Sequence, residues 1–285
     1  MDVAASSTGR RALGGFFALL AAFLYVPIVI LMIFSFNDDR VIAFPLRGFT
    51  LEWYDAMLHN APLLASLRVS AMVAAISGAA AVVLGVLAAY ALARRRIAAR
   101  GAVVGLLLSP LVIPYLVLGI ALLILFRAVD QWFTQLFGVY FGLGTHVIVI
   151  GHVVLSLPFV ILTVLPRLER IHVAVEEAAR DLGAGAFDTF RRVTIPLLMP
   201  AIVSAYLIAF TISFDEYALA SFVAGQEATY PIFLYGQVRI GVGLPQMIAI
   251  SVVIMVASLA IVVGAELLRR RAERSLGELP LAAPP

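Results

Sequence analysis

Long apolar runs, separated by short polar segments that carry arginine, dominate the hydrophobic pattern of the chain. The first run, 12–37, holds 26 residues without a charge, and about 20 apolar residues are enough to cross a bilayer as a helix. The pattern predicts an all-α membrane protein with six spans, at 12–37, 69–93, 101–126, 145–166, 201–224 and 246–268. Prolines inside the third and fourth runs predict kinks in those helices.

The arginines are distributed unevenly between the two sides that six spans would create. Fifteen of the twenty lie in four segments on the side of the termini, and five lie on the other side. Arginine-rich loops remain in the cytoplasm. The pattern therefore predicts that both termini and the segment 167–200 are cytoplasmic, and that the aromatic-containing loops at 38–62, 127–144 and 225–245 are outside.

The composition restricts the chemistry that this chain can perform. Hydrophobic residues make up 63% of it and charged residues 13%, whereas soluble domains average about 25% charged residues. The chain has no cysteine and no lysine, so it lacks a phosphate-binding loop with its lysine. We expect no catalytic residues, no metal site and no cofactor bound by this chain, and no nucleic-acid partner. Four scattered histidines are interpreted as structural: His59, His146, His152 and His172.

A charged segment at 177–196 interrupts the apolar pattern. Apolar residues recur at helical spacing on both sides of Gly183 and Gly185, which predicts a helix, a sharp turn and a second short helix. The apolar residues, Val175, Ala178, Ala179 and Leu182 before the turn and Phe187, Phe190 and Val193 after it, predict an exposed ridge. Such a ridge suits the groove of a protein partner. An ordinary amphipathic cytoplasmic loop is the alternative.

This segment resembles the EAA loop of the permeases of ABC importers. The family pattern is E-A-A, three residues, G, nine residues and I-x-L-P, and Glu177-Ala178-Ala179, Gly183 and Val193-Thr194-Ile195-Pro196 fall at those spacings. Val193 and Ile195 replace the usual Ile and Leu. The resemblance implies a coupling helix between spans 4 and 5 that docks on an ATPase subunit. The residues implied in coupling are Glu177, Ala178, Ala179, Gly183, Phe187, Phe190, Ile195 and Pro196.

An acidic pair, Asp215-Glu216, lies inside the fifth predicted span. If the helix begins near Pro200, Asp215 lies about 22 Å along it, in the outer part of the membrane. Ionisable residues at that depth are usually functional or paired. We predict a substrate pathway formed by Asp215, Glu216, Phe214 and Tyr217, with at most one of the two carboxylates facing it. The alternatives are a salt bridge to Arg127 or Arg239, or a hydrogen bond to a broken helix.

Several longer stretches, including 34–37, 48–54, 211–225 and 238–245, resemble the second permease subunit of spermidine/putrescine importers. The resemblance covers residues 12–270 or so. It implies a bacterial inner-membrane location and a polyamine or a similar cationic solute. It also implies a second homologous permease, two cytoplasmic ATPases that use ATP and Mg²⁺, and a periplasmic solute-binding protein.

The chain divides by these criteria into three segments. Residues 1–60 hold the N-terminal segment, the first span and an outer loop; 61–268 form the permease domain, with its coupling loop at 176–200; and 269–285 form a cytoplasmic tail. Three other functions remain open. They are an ion-driven secondary transporter that uses Asp215 and Glu216, an intramembrane enzyme, and an ABC permease for a different small solute.

Overall fold

The computed structural model describes residues 7–241 and 243–277, and within them the secondary structure is helical. Its helices are α1 (Ser7–Phe34), α2 (Glu52–Leu58), α3 (Ala61–Arg94), α4 (Arg100–Leu108), α5 (Tyr115–Phe137), α6 (Thr145–Arg170), α7 (Val173–Asp181), α8 (Ala186–Thr189), α9 (Ile195–Asp215), α10 (Ala220–Val223), α11 (Tyr230–Ile240) and α12 (Leu244–Gly277). The described residues include no strand, only a single antiparallel bridge between Asn37 and Phe49. The predicted all-α fold is confirmed for this part of the chain.

Five helical segments of the described chain are long and apolar enough to cross a membrane: Leu13–Phe34, Ala61–Arg94, Tyr115–Phe137, Thr145–Arg170 and Ala186–Asp215. The first, second and fourth correspond to predicted runs with some differences in boundaries, whereas the third and fifth only overlap theirs. α12 covers the sixth predicted run and contains the apolar stretch Leu244–Ala260. α12 also continues into the predicted tail as far as Gly277.

The third span was predicted in the wrong place. The run at 101–126 is not one kinked helix but α4, a short 3-10 turn at Ser109–Leu111 and the separate helix α5, which begins after Pro114. Pro114 has an extended ψ of 132°, so the chain leaves the helical conformation there. α5 then runs through the predicted outer loop to Phe137 and includes Asp130. The buried Asp130 carboxylate accepts hydrogen bonds from the backbone N–H groups of Phe141 and Gly142, at 2.8 and 3.3 Å.

The fifth span and the loop after it also differ from the prediction. α9 begins before Pro196 and ends at Asp215, so the predicted helix at 201–224 is broken near its middle. Glu216 has an extended ψ of 122°, and the chain turns before α10. The predicted outer loop at 225–245 contains the eleven-residue helix α11.

One compact unit comprises residues up to Ala61 together with Gly236–Ala257. The segment after α1 is folded on itself in this unit. Trp53 Nε1 donates to the Asn37 carbonyl at 2.8 Å, and the hydroxyls of Ser35 and Tyr54 are 2.7 Å apart. These contacts tie α2 to the end of α1.

The second compact unit contains Pro62–Tyr235. In it α3, α6 and α9 pack closely because small residues lie at the crossings. A Cβ on Gly85 would lie 2.5 Å from Val160 Cγ1, and one on Gly78 would lie 3.3 Å from the Tyr206 ring. Two buried clusters result. One surrounds Leu219 and Val223 near the end of α9, and the other surrounds Leu168 and Leu198 near its beginning.

Candidate functional site

The predicted helix–turn–helix at 177–196 is present, as α7, a turn and α8, which continues through a π-helical turn (Phe190–Thr194) into α9. The end of α7 is a Schellman motif, in which Ala184 N donates to the Ala179 carbonyl at 3.0 Å and Gly183 N donates to the Arg180 carbonyl at 2.9 Å. Gly183 occupies the left-handed position, with φ +89°. Glycine adopts this conformation at little cost, which explains the sharp turn.

The loop presents an exposed apolar ridge made by Val175, Ala178, Leu182 and Phe187. Leu182 is 90% exposed and Phe187 is 72% exposed. Glu177 and Pro196 are also exposed, while Ala179 and Ile195 are half-buried. The prediction of an exposed ridge was wrong for Ala179, Phe190 and Val193, which are half-buried. Phe190 instead faces α3. Its ring packs edge-on against Tyr90 of α3, with the centroids 4.9 Å apart.

A buried ion pair, which sequence reasoning missed, holds this loop to the membrane helices. Arg94 Nε donates to both carboxylate oxygens of Glu176 at 3.2 Å, and the two side chains are 10% and 2% exposed. Arg94 Nη2 also donates to the carbonyls of Leu168 and Ile171, and Thr194 Oγ1 donates to Glu176 Oε1 at 3.1 Å. The pair therefore joins the ends of α3 and α6 to α7 and the start of α9.

The acidic pair at the end of α9 is split between two environments. Asp215, the last residue of α9, is exposed, and it makes no hydrogen bond or ion pair with another described residue. Glu216 is only 6% exposed, and its carboxylate accepts hydrogen bonds from Leu219 N at 2.7 Å and Ala220 N at 2.9 Å. The alternative of a hydrogen bond to a broken helix is thus confirmed for Glu216. Neither carboxylate is paired with Arg127 or Arg239 within the described residues.

The turn after Glu216 is held in place by Leu219. A Cβ on Gly119 of α5 would lie 3.0 Å from Leu219 Cα, and one on Gly151 of α6 would lie 2.6 Å from Leu219 Cδ2. Leu219 therefore packs directly against two glycines. Any larger residue at position 119 or 151 would displace Leu219. Non-helical backbone at membrane depth occurs only where it is buried in protein or lines a cavity. At this break Glu216 and Leu219 are buried, and the exposed Asp215 carboxylate is the group that would face a cavity.

Aromatic rings extend along α9 towards this break. Tyr206, Phe210 and Phe214 recur every four residues, with centroids 6.3 and 6.0 Å apart, and Phe214 stacks with Tyr230 of α11 at 6.3 Å. We call these four rings the aromatic ladder. Beyond Asp215, Tyr217 packs against Tyr235 at 4.8 Å. A carboxylate among aromatic faces is a favourable environment for a cation.

Comparison of the sequence with known proteins assigns the chain to a family. The sequence pattern of the family described as "Binding-protein-dependent transport system inner membrane component" matches residues 81–276. The chain belongs to this family. It is the permease subunit of an ABC importer, and it is a transport protein rather than an enzyme.

Curated relatives of the permease share most of its length. It is 35% identical over 263 residues to the spermidine/putrescine transport system permease protein PotC of Escherichia coli (strain K12), covering 92% of this chain and 95% of the relative. It is 34% identical over 235 residues to the putrescine transport system permease protein PotI of the same strain, covering 82% of each chain. The resemblance predicted from the sequence is confirmed.

Solved structures support the fold of the permease. A chain of the bacterial alginate ABC transporter, in complex with its periplasmic protein bound to alginate pentasaccharide, matches with a TM-score of 0.69 at 16% identity, covering 92% of this chain and 94% of the other. An amino acid ABC transporter, crystallised with histidines, matches with a TM-score of 0.52 at 17% identity, covering 78% and 100%. At these identities the likeness shows the fold alone.

The permease also brings a serine, a histidine and a glutamate together, which the sequence did not predict. Ser213 Oγ lies 2.7 Å from His152 Nδ1, and His152 Nε2 lies 3.3 Å from Glu216 Oε2. The order matches a hydrolytic triad, but all three residues are buried, and two backbone N–H groups already occupy the carboxylate. Only the Ser213–His152 contact is a hydrogen bond, because His152 Nε2 has no hydrogen-bond partner in the described residues. The arrangement is therefore a structural polar cluster in a transport protein.

Proposed function

We propose that this permease imports a cationic organic solute, most directly a polyamine, and that Asp215 lies on its path. The observation that carries the proposal is the exposed Asp215 carboxylate at the end of α9, unpaired within the described chain and next to the aromatic ladder. Ammonium groups are attracted to a carboxylate by charge and to ring faces by the ring quadrupole. The names of the two polyamine permeases that it resembles support the same class of solute.

The aromatic ladder adds a feature that suits a long polycation. Neighbouring rings are about evenly spaced, at 6.3, 6.0 and 6.3 Å. A flexible solute whose ammonium groups are separated by apolar stems could contact the three half-buried rings of the ladder, those on α9, in succession as it moves. The fourth ring, that of Tyr230, contacts Phe214 and is buried. Phe214, Asp215 and Tyr217 then form the solute path. Glu216 contributes indirectly, because its carboxylate is already engaged in the turn.

The second part of the proposal concerns energy coupling. The exposed ridge Val175–Ala178–Leu182–Phe187 and the adjacent Glu177 would dock on a cytoplasmic ATPase. We propose a complex with a second homologous permease, two ATPases that use ATP and Mg²⁺, and a periplasmic solute-binding protein. Movement of the ATPases would be transmitted through the loop to the membrane helices, which would open the pathway outward by rigid-body motion.

We expect Gly183→Val to abolish uptake and reduce ATPase co-purification, while the permease still inserts in the membrane. Valine at φ +89° is strained, and backbone strain of this kind costs about 1–3 kcal/mol. The loop should therefore adopt another conformation. Gly185→Val is the matched control, because Gly185 has φ −66° and open space around its Cβ position. Equal loss of uptake in both variants, or normal uptake in Gly183→Val, would argue against the coupling role.

The proposed orientation has six spans, with α12 as the sixth and both termini in the cytoplasm. The chain has no native cysteine, so single cysteines can be placed at the exposed residues Leu182 and Gln226. An impermeant thiol reagent added outside intact spheroplasts should label Gln226→Cys and leave Leu182→Cys unlabelled until the membrane is opened. Labelling of both variants from outside would contradict this topology.

Two other functions make different predictions. An ion-driven secondary transporter would accumulate solute without ATP, and an ABC permease for another solute would need ATP but ignore polyamines. The family of the chain already identifies an ATP-driven system, and the exposed ridge at α7 and α8 is where we propose that its ATPase docks. Uptake into vesicles with and without internal ATP separates these cases.

A further inference from the structure

Four buried polar side chains, which we call the polar network, connect α3, α6 and α9 at the break after Asp215. Ser77 Oγ of α3 lies 2.9 Å from Ser213 Oγ of α9, which lies 2.7 Å from His152 Nδ1 of α6, and His152 Nε2 lies 3.3 Å from Glu216 Oε2. All four residues are buried. We propose that this polar network fixes the position of the break at the end of α9. His152 and Glu216 are then positioning residues for the carboxylate of Asp215.

The argument begins with which residues His152 contacts. Its two ring nitrogens contact Ser213 and Glu216, the residues two before and one after Asp215. The imidazole therefore ties both sides of Asp215 to α6. With its neighbours held, the backbone of Asp215 has little freedom to shift, whereas its own side chain has no polar partner within residues 7–241 and 243–277. Ser213 and Glu216 thus hold the backbone in place through His152, while the Asp215 carboxylate is available to bind a ligand.

The connection to α6 goes beyond what the turn itself requires. Glu216 already satisfies the N–H groups of Leu219 and Ala220, which would otherwise be unpaired after the break. An apolar residue at position 152 would leave those two hydrogen bonds intact. Ser77, Ser213 and His152 Nδ1 are linked by hydrogen bonds. His152 Nε2, in contrast, only contacts Glu216 Oε2 at 3.3 Å and has no hydrogen-bond partner in the described residues. Burying an imidazole and two hydroxyls is costly, so a polar connection across three helices indicates a requirement for a precise position.

The inference rests on the proposed function only where it assigns Asp215 to the solute path. Its structural part, that His152 and Ser213 fix the position of residue 215, can be tested without any solute. The test uses the rate at which a thiol reagent modifies Asp215→Cys in membranes that contain the full transporter. The absence of native cysteine makes this signal specific.

Adding His152→Leu or Ser213→Ala to Asp215→Cys should change the modification rate on the order of threefold or more, as expected for residues in one hydrogen-bond network. Ser213→Ala is the milder change and decides the result if His152→Leu does not insert. The matched control is Ser156→Ala, one turn after His152 on α6, which removes a buried hydroxyl that has no hydrogen-bond partner in the described structure. An unchanged rate in Ser213→Ala, or an equal change in the Ser156→Ala control, overturns the proposal.

Uptake measurements extend the test to transport. His152→Leu should slow uptake several-fold when Asp215 is present and should add little in the Asp215→Asn background, because both changes then act through one group. Fully additive losses would overturn the positioning role. If Asp215→Asn alone leaves uptake unchanged, the proposed function fails, and the modification rates still report whether the network holds residue 215.

Discussion

Replacement of Asp215 by asparagine is expected to reduce uptake of a polyamine by about tenfold or more, while the permease still assembles with its ATPase. The change keeps the size of the side chain and removes its charge. A carboxylate attracts an ammonium group more strongly than an amide does, and the attraction increases wherever the solute path excludes water and lowers the effective dielectric constant. A loss of about 1.4 kcal/mol in stabilisation of the transported cation already corresponds to a factor of ten.

The measurement is uptake of radiolabelled spermidine by cells that lack other polyamine importers, with expression checked by immunoblot. Glu52→Gln is the matched control, since Glu52 is an exposed carboxylate in the short helix α2, remote in sequence from α9. It should transport at the wild-type rate. Normal uptake in Asp215→Asn, or equal losses in both variants, would contradict the assignment of Asp215 to the solute path.

The second large effect is expected at the buried ion pair that anchors the coupling loop. Arg94→Leu leaves the Glu176 carboxylate buried without its cation and removes donors to the carbonyls of Leu168 and Ile171. Removing one partner of a buried pair typically costs about 3–5 kcal/mol. We expect a large fall in the thermal unfolding temperature of the purified permease and loss of ATPase co-purification, since α7 would no longer be held against α3.

The neighbouring pair Arg100–Glu169 provides the comparison. Its nitrogen and oxygen are 3.0 Å apart, but both side chains are 50% exposed, and exposed pairs contribute about 0–1 kcal/mol. Arg100→Leu should therefore change the unfolding temperature little. Similar effects of Arg94→Leu and Arg100→Leu would mean that the buried pair does not anchor the loop.

The sequence predicted those features that depend on neighbouring residues. The helix–turn–helix at 177–196 followed from apolar spacing and from Gly183, whose positive φ is a local requirement. The first, second and fourth spans followed from uninterrupted apolar runs. These predictions succeeded because the decisive interactions lie within a few residues of each other.

The features that were missed depend on residues far apart in the chain. Arg94 and Glu176 are separated by 82 positions, and an arginine at a span end is already explained by its cytoplasmic location. No proline or glycine marks the break after Asp215 in the sequence. The Glu216 carboxylate accepts the backbone hydrogen bonds that the break leaves unpaired, so no helix-breaking residue is needed. Phe190 was assigned to the exposed ridge by spacing, although the π-helical turn directs it towards Tyr90.

The central claim is that this permease passes a polycation through a pathway opened by an ATP-driven partner. The most direct test is reconstitution of the permease with its partner permease, ATPases and binding protein in liposomes, followed by uptake of labelled spermidine. The account predicts accumulation that requires internal ATP, is competed by putrescine and is unaffected by neutral or anionic solutes. Accumulation driven by an ion gradient without ATP, or ATP-driven uptake of only neutral or anionic solutes, would contradict it.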